Sequence, residues 1–348
     1  ELNFETSAGG DPTTSYHLIK VATRHHAMAA ALAIQITDWL QLGVAPGLLL
    51  GYGRLVFNDD TAMGGEDPAS AARYDLATRG TQAPAYFVAA GIHYRRAAWD
   101  VGLAYTSAPL GTDGQIRLAM KQTWVMPPAG ATVGGLCDSL GAADQPCVFS
   151  EMRYRLPDMF TAGVTWRATP RLAVTGMARW LRYGSHDDID LRLVGPSGGR
   201  LARSGAVEHL RLFRGFRDSW DVRARVVHTP FAWWRWSGTL RVETSAVPSA
   251  HVNAAAVDGL KIEPMVASEF SLGRHLRLAG GYALEWMLPV TVDHSVFDPS
   301  AAAACAQAQG DLNAPSCQAR RAGQARPTAG GRYTMLRHTL ALTATVSF

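Results

Sequence analysis

One feature restricts this chain more than any other: apolar and polar residues alternate strictly in segment after segment. In Arg217–Val227 the odd positions carry Arg217, Ser219, Asp221, Arg223 and Arg225, and the even ones Asp218, Trp220, Val222, Ala224 and Val226, so Asp218 alone breaks the pattern. Trp234, Trp236, Gly238, Leu240 and Val242 then alternate with Arg235, Ser237, Thr239, Arg241 and Glu243. Near the C-terminal end Leu336, His338, Leu340, Leu342, Ala344, Val346 and Phe348 alternate with Met335, Arg337, Thr339, Ala341, Thr343, Thr345 and Ser347. Successive side chains of an extended strand point to opposite faces, so the pattern describes a sheet with one polar and one apolar side.

A soluble sandwich alternates too, and the connections separate the two cases. Tight turns are expected near Thr37–Trp39, Arg95–Ala98, Ala168–Arg171, Thr229–Ala232 and Gly273–His275. Between them lie long stretches rich in Gly, Pro, Ala and Asp: Asn58–Ala83, Thr123–Ser150, Gly195–Ser204, Ser245–Gly259 and Pro289–Arg332. Short turns at one end and long loops at the other are the layout of an outer-membrane barrel. A spanning helix is not expected, because no window holds about eighteen consecutive apolar residues and the uncharged run Trp39–Gly53 is cut by Pro46 and glycines. A mean hydropathy of −0.03 does not argue against a barrel, whose alternation averages itself away.

Eleven strands are expected, at roughly 25–37, 39–57, 84–96, 98–121, 152–168, 171–193, 206–229, 233–245, 261–273, 275–288 and 333–348. Bacterial single-chain barrels have even strand numbers, so the simplest expectation is that N-terminal strands are absent from this chain. Glu1-Leu2-Asn3-Phe4-Glu5 has neither the basic nor the apolar region of a signal peptide. The terminal Phe348 closes an alternating strand, an ending that suits the machinery that folds barrels.

The net charge of +4 comes from arginines spread one or two per segment, with lysine only at Lys20, Lys121 and Lys261, and this spread does not suit a nucleic-acid binder. Cys137 with Cys147 and Cys305 with Cys317 are expected to form two loop-local disulfides of an oxidising compartment, since zinc sites use closer spacing. Ser185-His186-Asp187-Asp188 holds triad residue types, but contiguous residues in an extended segment alternate faces and cannot line up as nucleophile, base and orienter. His25-His26 lacks recognisable metal partners, and Gly51-Tyr52-Gly53 is no phosphate loop. Neither a metal, a cofactor nor a catalytic residue is expected.

Several strings, taken in order, resemble one family. Leu156-Pro157-Asp158-Met159 opens a strand that turns at Ala168-Thr169-Pro170-Arg171 and returns through Ala178-Arg179-Trp180. Gly215-Phe216-Arg217-Asp218-Ser219-Trp220, Trp236-Ser237-Gly238-Thr239-Leu240-Arg241 and Ser245-Ala246-Val247-Pro248 follow, with Ile92-His93-Tyr94 and Gly102-Leu103-Ala104-Tyr105-Thr106-Ser107 upstream. Their order over about residues 16–348 resembles the FadL/TodX family of outer-membrane transporters for long-chain fatty acids and other hydrophobic molecules. The resemblance implies a fourteen-stranded barrel of which this chain carries the fourth to the fourteenth strand. The family's N-terminal hatch and kinked third strand find no counterpart. Residues 1–348 are then one outer-membrane β-barrel domain, incomplete at its N-terminal side relative to the family. It would act as a monomer in contact with outer-membrane lipid and a hydrophobic small-molecule ligand, with no nucleic acid. Two other readings stand beside transport: a phospholipase-like barrel enzyme, which needs an outward Ser–His pair near the bilayer rim, and a structural or adhesive barrel.

Taken as wall geometry, the alternation points Arg179, Arg223, Arg225, Arg235, Arg241 and Arg337 into the lumen with Asp221, Glu243 and Glu269. A lumenal arginine can hold a carboxylate by two parallel charge-assisted bonds. The plainer reading is a ladder of ion pairs across neighbouring strands, and the only feature favouring an anionic ligand is the local surplus of cations. Trp99, Trp166, Trp180, Trp220, Trp234 and Trp236 fall on the outward face, where they suit a bilayer interface. Gly43, Ala45, Gly47, Gly51 and Gly53 leave one face of the second strand almost bare.

Overall fold

The computed structural model describes residues 2–5, 18–60, 71–78, 84–112, 114–126, 149–185, 188–193, 209–213, 215–252, 257–292 and 331–346. They form one antiparallel sheet of eighteen strand segments. These are β1 (Leu2–Glu5), β2 (Leu18–Ala29), β3 (Leu32–Thr37), β4 (Leu40–Asp60), β5 (Ala71–Thr78), β6 (Ala85–Arg96), β7 (Trp99–Thr106), β8 (Gln115–Met126) and β9 (Phe149–Arg155). There follow β10 (Met159–Thr169), β11 (Leu172–Leu181), β12 (Asp188–Leu193), β13 (His209–Phe213), β14 (Ser219–Phe231), β15 (Trp234–Glu243), β16 (Lys261–Leu272), β17 (Leu276–Val292) and β18 (Gly331–Val346). Helix is confined, among the described residues, to single turns at Tyr183–Ser185 and Ser249–His251, and no helix there is long and apolar enough to cross a membrane.

Many segments are halves of one wall strand. β4 pairs with β3 near its start and β2 further on, and on its other edge with β6 and then β5. In the same way β7 and β8 face β10 and β9, which in turn face β11 and β12, and these face β14 and β13. β14 to β18 then pair consecutively. All eleven expected strands are thus present. What sequence reading missed are the interruptions between β7 and β8, β9 and β10, β11 and β12, and β13 and β14, the strand β5 inside the expected loop Asn58–Ala83, the start of β2 at Leu18, and β1, which pairs with β2. Among the described residues no ladder joins β18 to the β1–β3 edge, so the sheet is curved and open. The tight turns fall where expected, with Ala97 and Gly273 at positive φ. The four cysteines and the His186-Asp187 pair lie outside the described residues.

Little of the sheet is buried as a soluble core. Leu340 and Leu342 are 72% and 78% exposed, and Val266 is 62% exposed, all on the outward face. A bare aliphatic face of this kind suits hydrocarbon rather than water. Two aromatic bands border it. Near the tight turns Trp99 stacks on Trp166, Trp39 meets Tyr94 edge-on, and Phe231, Trp233, Trp234 and Phe270 form a stack. At the other border Tyr105, Phe160, Trp180 and Trp220 follow one another in register across four strands. Between the bands β10, β11 and β15 run 11, 10 and 10 residues, matching the ~9–11 a tilted strand needs to cross the hydrocarbon.

Candidate ligand passage

The interruptions lie at one level of the wall, just beyond the second aromatic band; two aspartates, Asp158 and Asp218, seal them, and a third, Asp258, does the same for the connection between β15 and β16. Asp158 Oδ1 accepts the Ala108 N–H at 2.8 Å and the Tyr105 hydroxyl at 2.8 Å, and Arg182 reaches its Oδ2 at 3.4 Å. Asp218 accepts the Gly184 N–H at 2.9 Å and the Trp180 indole N–H at 3.2 Å. Asp258 Oδ2 accepts the Ala246 N–H at 2.8 Å and the Ser245 hydroxyl at 3.3 Å. Asp158 and Asp218 each replace ladder bonds lost at a break by holding the backbone at the matching break of the preceding wall strand, and Asp258 holds the backbone just after β15. Burial alone would raise the Asp158 pKa, but the bonds from Ala108, Tyr105 and Arg182 outweigh it and hold the carboxyl below the usual carboxylate value. Asp218, the one exception in its alternating segment, is such a seal.

β4 passes this level unbroken and shows which face is the interior on both sides of it. Below, its Gln41 pairs in register with His93, whose ring meets Asp100. Above, on the same face, Gly51 lies against β8 and β9: a Cβ there would stand 3.0 Å from Leu118 and 3.4 Å from Ile116. His25 Nε2 of β2 and the Tyr154 hydroxyl of β9 meet at 2.5 Å although their strands are not neighbours, so this contact spans the concavity. Ile116, Leu118, Met152 and Tyr154 are 3%, 0%, 1% and 7% exposed. Above the seals, therefore, the apolar face turns inward, and Arg117 and Arg153 occupy the opposite face, Arg153 paired with Glu151. A second apolar group, Val247, Val252 and Val292 with Phe216 and Tyr333, packs beside the 244–260 connection.

Below the seals the interior is ionic. Asp221, 1% exposed, takes Arg223 at 2.6 Å and Arg241 at 3.2 Å. Arg241 also meets Glu243, Glu263 at 3.0 Å and Glu285 at 3.7 Å, so four carboxylates surround one guanidinium. Lys261 joins Glu243 at 2.9 Å to Asp258 at 2.6 Å, and Arg337 meets Glu285 at 2.9 Å. Closer to the tight turns Asp100 gathers His93, Arg95 and Arg167.

The expected lumenal residues therefore separate into two groups. Arg223, Arg241, Glu243 and Arg337 belong to the ion-pair network, where Glu263 and Glu285 from β16 and β17 remove the cation surplus seen on β14 and β15 alone. Arg179, Arg225 and Arg235 face the same interior without a carboxylate partner among the described residues: the Nε of Arg179 is buried without a hydrogen bond, and Arg225 reaches only Ser237 Oγ at 3.4 Å. Glu269, opposite Arg235 in register, is taken by Arg277 at 3.4 Å. Sequence reasoning missed the apolar interior group, although Ile116, Leu118 and Met152 stand in plain alternation with Arg117 and Arg153.

No protein-family profile matches the chain, and no curated protein does. Solved structures do. A FadL homologue of Pseudomonas aeruginosa matches with a TM-score of 0.68 and 14% identity, covering 96% of this chain and 70% of the other. The fold is that of the FadL/TodX transporters. The toluene transporter TbuX of Ralstonia pickettii gives a TM-score of 0.53 at 14% identity over 83% of this chain and 70% of its own, and the toluene transporter TodX of Pseudomonas putida gives 0.53 at 12% over 78% and 66%. The FadL-type fold agrees with an antiparallel sheet whose tight turns lie at one end and whose long connections lie at the other. Of the histidines on the outward face, His228 packs edge-on against Trp236 and His338 bonds to the Tyr282 hydroxyl.

Proposed function

We propose that the protein sits in the outer membrane of a Gram-negative bacterium, tight turns toward the periplasm, and passes long-chain fatty acids or other hydrophobic small molecules inward along its interior, without catalysing a reaction. The inversion at the seals carries this reading: a wall that is apolar outside where lipid would touch it becomes apolar inside beyond that level. An interior apolar surface at the outer mouth gains nothing for a pore that passes ions or sugars, whereas it gives a hydrophobic solute leaving water a place to bury area at about 25 cal/mol per Å². The fold neighbours that transport toluene, and the FadL homologue, support it. The arginines without acid partners suit the head group of a fatty acid but leave an uncharged hydrocarbon equally acceptable.

Growth of a deletion strain on oleate or on toluene as sole carbon source, restored by this chain and by a Leu118→Asp variant in parallel, tests the reading. Restoration by the natural chain with loss in Leu118→Asp, both reaching the membrane in equal amount, is the expected result. Equal restoration by both, or by neither on any hydrophobic substrate, would refute it, and lipid hydrolysis by the purified protein would favour the enzyme instead.

A further inference from the structure

We propose that Arg179, Arg225 and Arg235 form a track on the interior wall below the seals, along which the carboxylate of an amphipathic acid steps toward the turn end; it rests on the transport reading above. Other cations of the inward face are already held by acids. Arg223 and Arg241 take Asp221, Arg337 takes Glu285, Arg95 and Arg167 take Asp100, and Arg277 takes Glu269. The three track arginines differ: the Nε of Arg179 is buried without a hydrogen bond, Arg225 reaches only Ser237 Oγ at 3.4 Å, and Arg235 has no partner among the described residues. Two of them stand opposite an acid that is engaged elsewhere. Asp221, opposite Arg179, is shared by Arg223 and Arg241, and Glu269, opposite Arg235, is engaged by Arg277 at 3.4 Å.

Strand register sets the three at even steps. Arg179 of β11 is level with Asp221 of β14, and four residues nearer the tight turn on β14 comes Arg225, level with Thr239 of β15. Four residues nearer the turn on β15 comes Arg235. An even step keeps every station on the inward face, and four residues of strand span about 14 Å. Each free guanidinium therefore lies one strand over and one equal step down from the last. Beside Arg225 the wall is uncharged: Val227, Met265, Ala267 and Ala283 face inward there, between the network around Arg241 and the Glu269–Arg277 pair. A carboxylate matches the fork of a guanidinium, and its hydrocarbon tail lies against these apolar side chains. Arg241 is no station, since a ligand there competes with four carboxylates. Arg225 and Arg235 are exposed, so each holds an anion weakly. Weak, repeated sites suit a passage, because the solute must leave each one again.

Phenylglyoxal, which modifies guanidinium groups, reads the stations one by one when the purified full chain is digested and mapped by mass spectrometry. Arg225 and Arg235 should be modified faster than Arg241. Decanoate should slow modification of Arg179, Arg225 and Arg235 about fivefold and leave Arg241 unchanged. Decanol, which lacks the charge, and acetate, which lacks the tail, should protect them far less at the same concentration. An Arg225→Gln, Arg235→Gln double variant, which gives up only the 3.4 Å contact to Ser237, should support slower growth on oleate relative to toluene by a similar factor, and the corresponding Lys variant should restore most of it. Equal protection by decanol or by acetate, no protection at the three arginines, or an oleate-to-toluene ratio indifferent to the Gln variant overturns the track. Restoration of growth by the natural chain is scored separately. Protection by decanoate without growth on any hydrophobic substrate defeats the transport reading and leaves the carboxylate stations, whereas growth restored without protection defeats the track alone.

Discussion

Arg225 and Arg241 sit on adjacent strands and face the same interior, yet their loss should have unlike consequences. Removing the Arg241 guanidinium leaves Asp221, at 1% exposure, with Arg223 alone, and leaves Glu263 without the partner found in the structure. Breaking a buried pair by deleting one member costs about 3–5 kcal/mol, because the orphaned charge stays desolvated. Arg241→Gln should therefore lower the urea-unfolding free energy of the detergent-refolded protein by about that amount at the low end, since Arg223 remains. Arg225→Gln, which gives up a single 3.4 Å contact to Ser237, should cost less than about 0.5 kcal/mol. Equal losses would mean that the network does not hold the wall. The sequence shows that both arginines face inward, because alternation fixes the face. It does not show which of them is paired, because Glu263 and Glu285 reach Arg241 only through the register of β16 and β17, set by a loop and by the turn at 273–275.

At the scale of the element the informative places are the breaks. Gly184 lies close enough to its seal that a Cβ would stand 2.9 Å from Asp218 Oδ1. Gly184→Ala should therefore push the carboxylate off the Gly184 N–H, and Asp218→Ala should remove the acceptor altogether, each at about 1–2 kcal/mol for a charge-assisted bond. The loss should be local. Amide exchange should accelerate in β12 and β13 beyond the break while β11 and β14 below it keep their protection. Uniform acceleration through both levels would show that the seals act on the whole wall. Here the limit of sequence reading has a simple origin. Alternation is visible within β7 and again within β8, but its phase relative to the interior is lost in Pro109-Leu110-Gly111-Thr112-Asp113-Gly114, whose length and turns decide which set of side chains points inward when the strand resumes. The eleven strands were therefore readable, whereas the inversion that makes the outer interior apolar was not. The lone polar residue on an apolar face, Asp218, was the visible hint that something other than strand began there.

For the whole molecule, the two aromatic bands and the level of the seals make one quantitative claim, that lipid touches the wall only between them. Leu340 lies opposite Tyr282 near the middle of the β17–β18 hairpin, on the outward face and 72% exposed. A cation there must be solvated by hydrocarbon or drag water and head groups inward, at about 2–4 kcal/mol near the bilayer midplane, falling to about 0–1 at the borders. Trp220 occupies the outer band beside the Asp218 seal, and Arg117 is already exposed above it. Leu340→Arg should thus lower the unfolding free energy in lipid vesicles by about 2–4 kcal/mol, Trp220→Arg by no more than about 1 kcal/mol beyond its lost packing, and Arg117→Leu by almost nothing. In detergent micelles, which have no fixed midplane, the first cost should shrink toward the second. A flat profile in vesicles would mean that the exposed aliphatic face meets another protein surface instead of lipid. A profile peaking at Trp220 would shift the hydrocarbon past the seals and leave the interior apolar group of Leu118 and Met152 at membrane depth, where a solute would reach it from lipid and not from water.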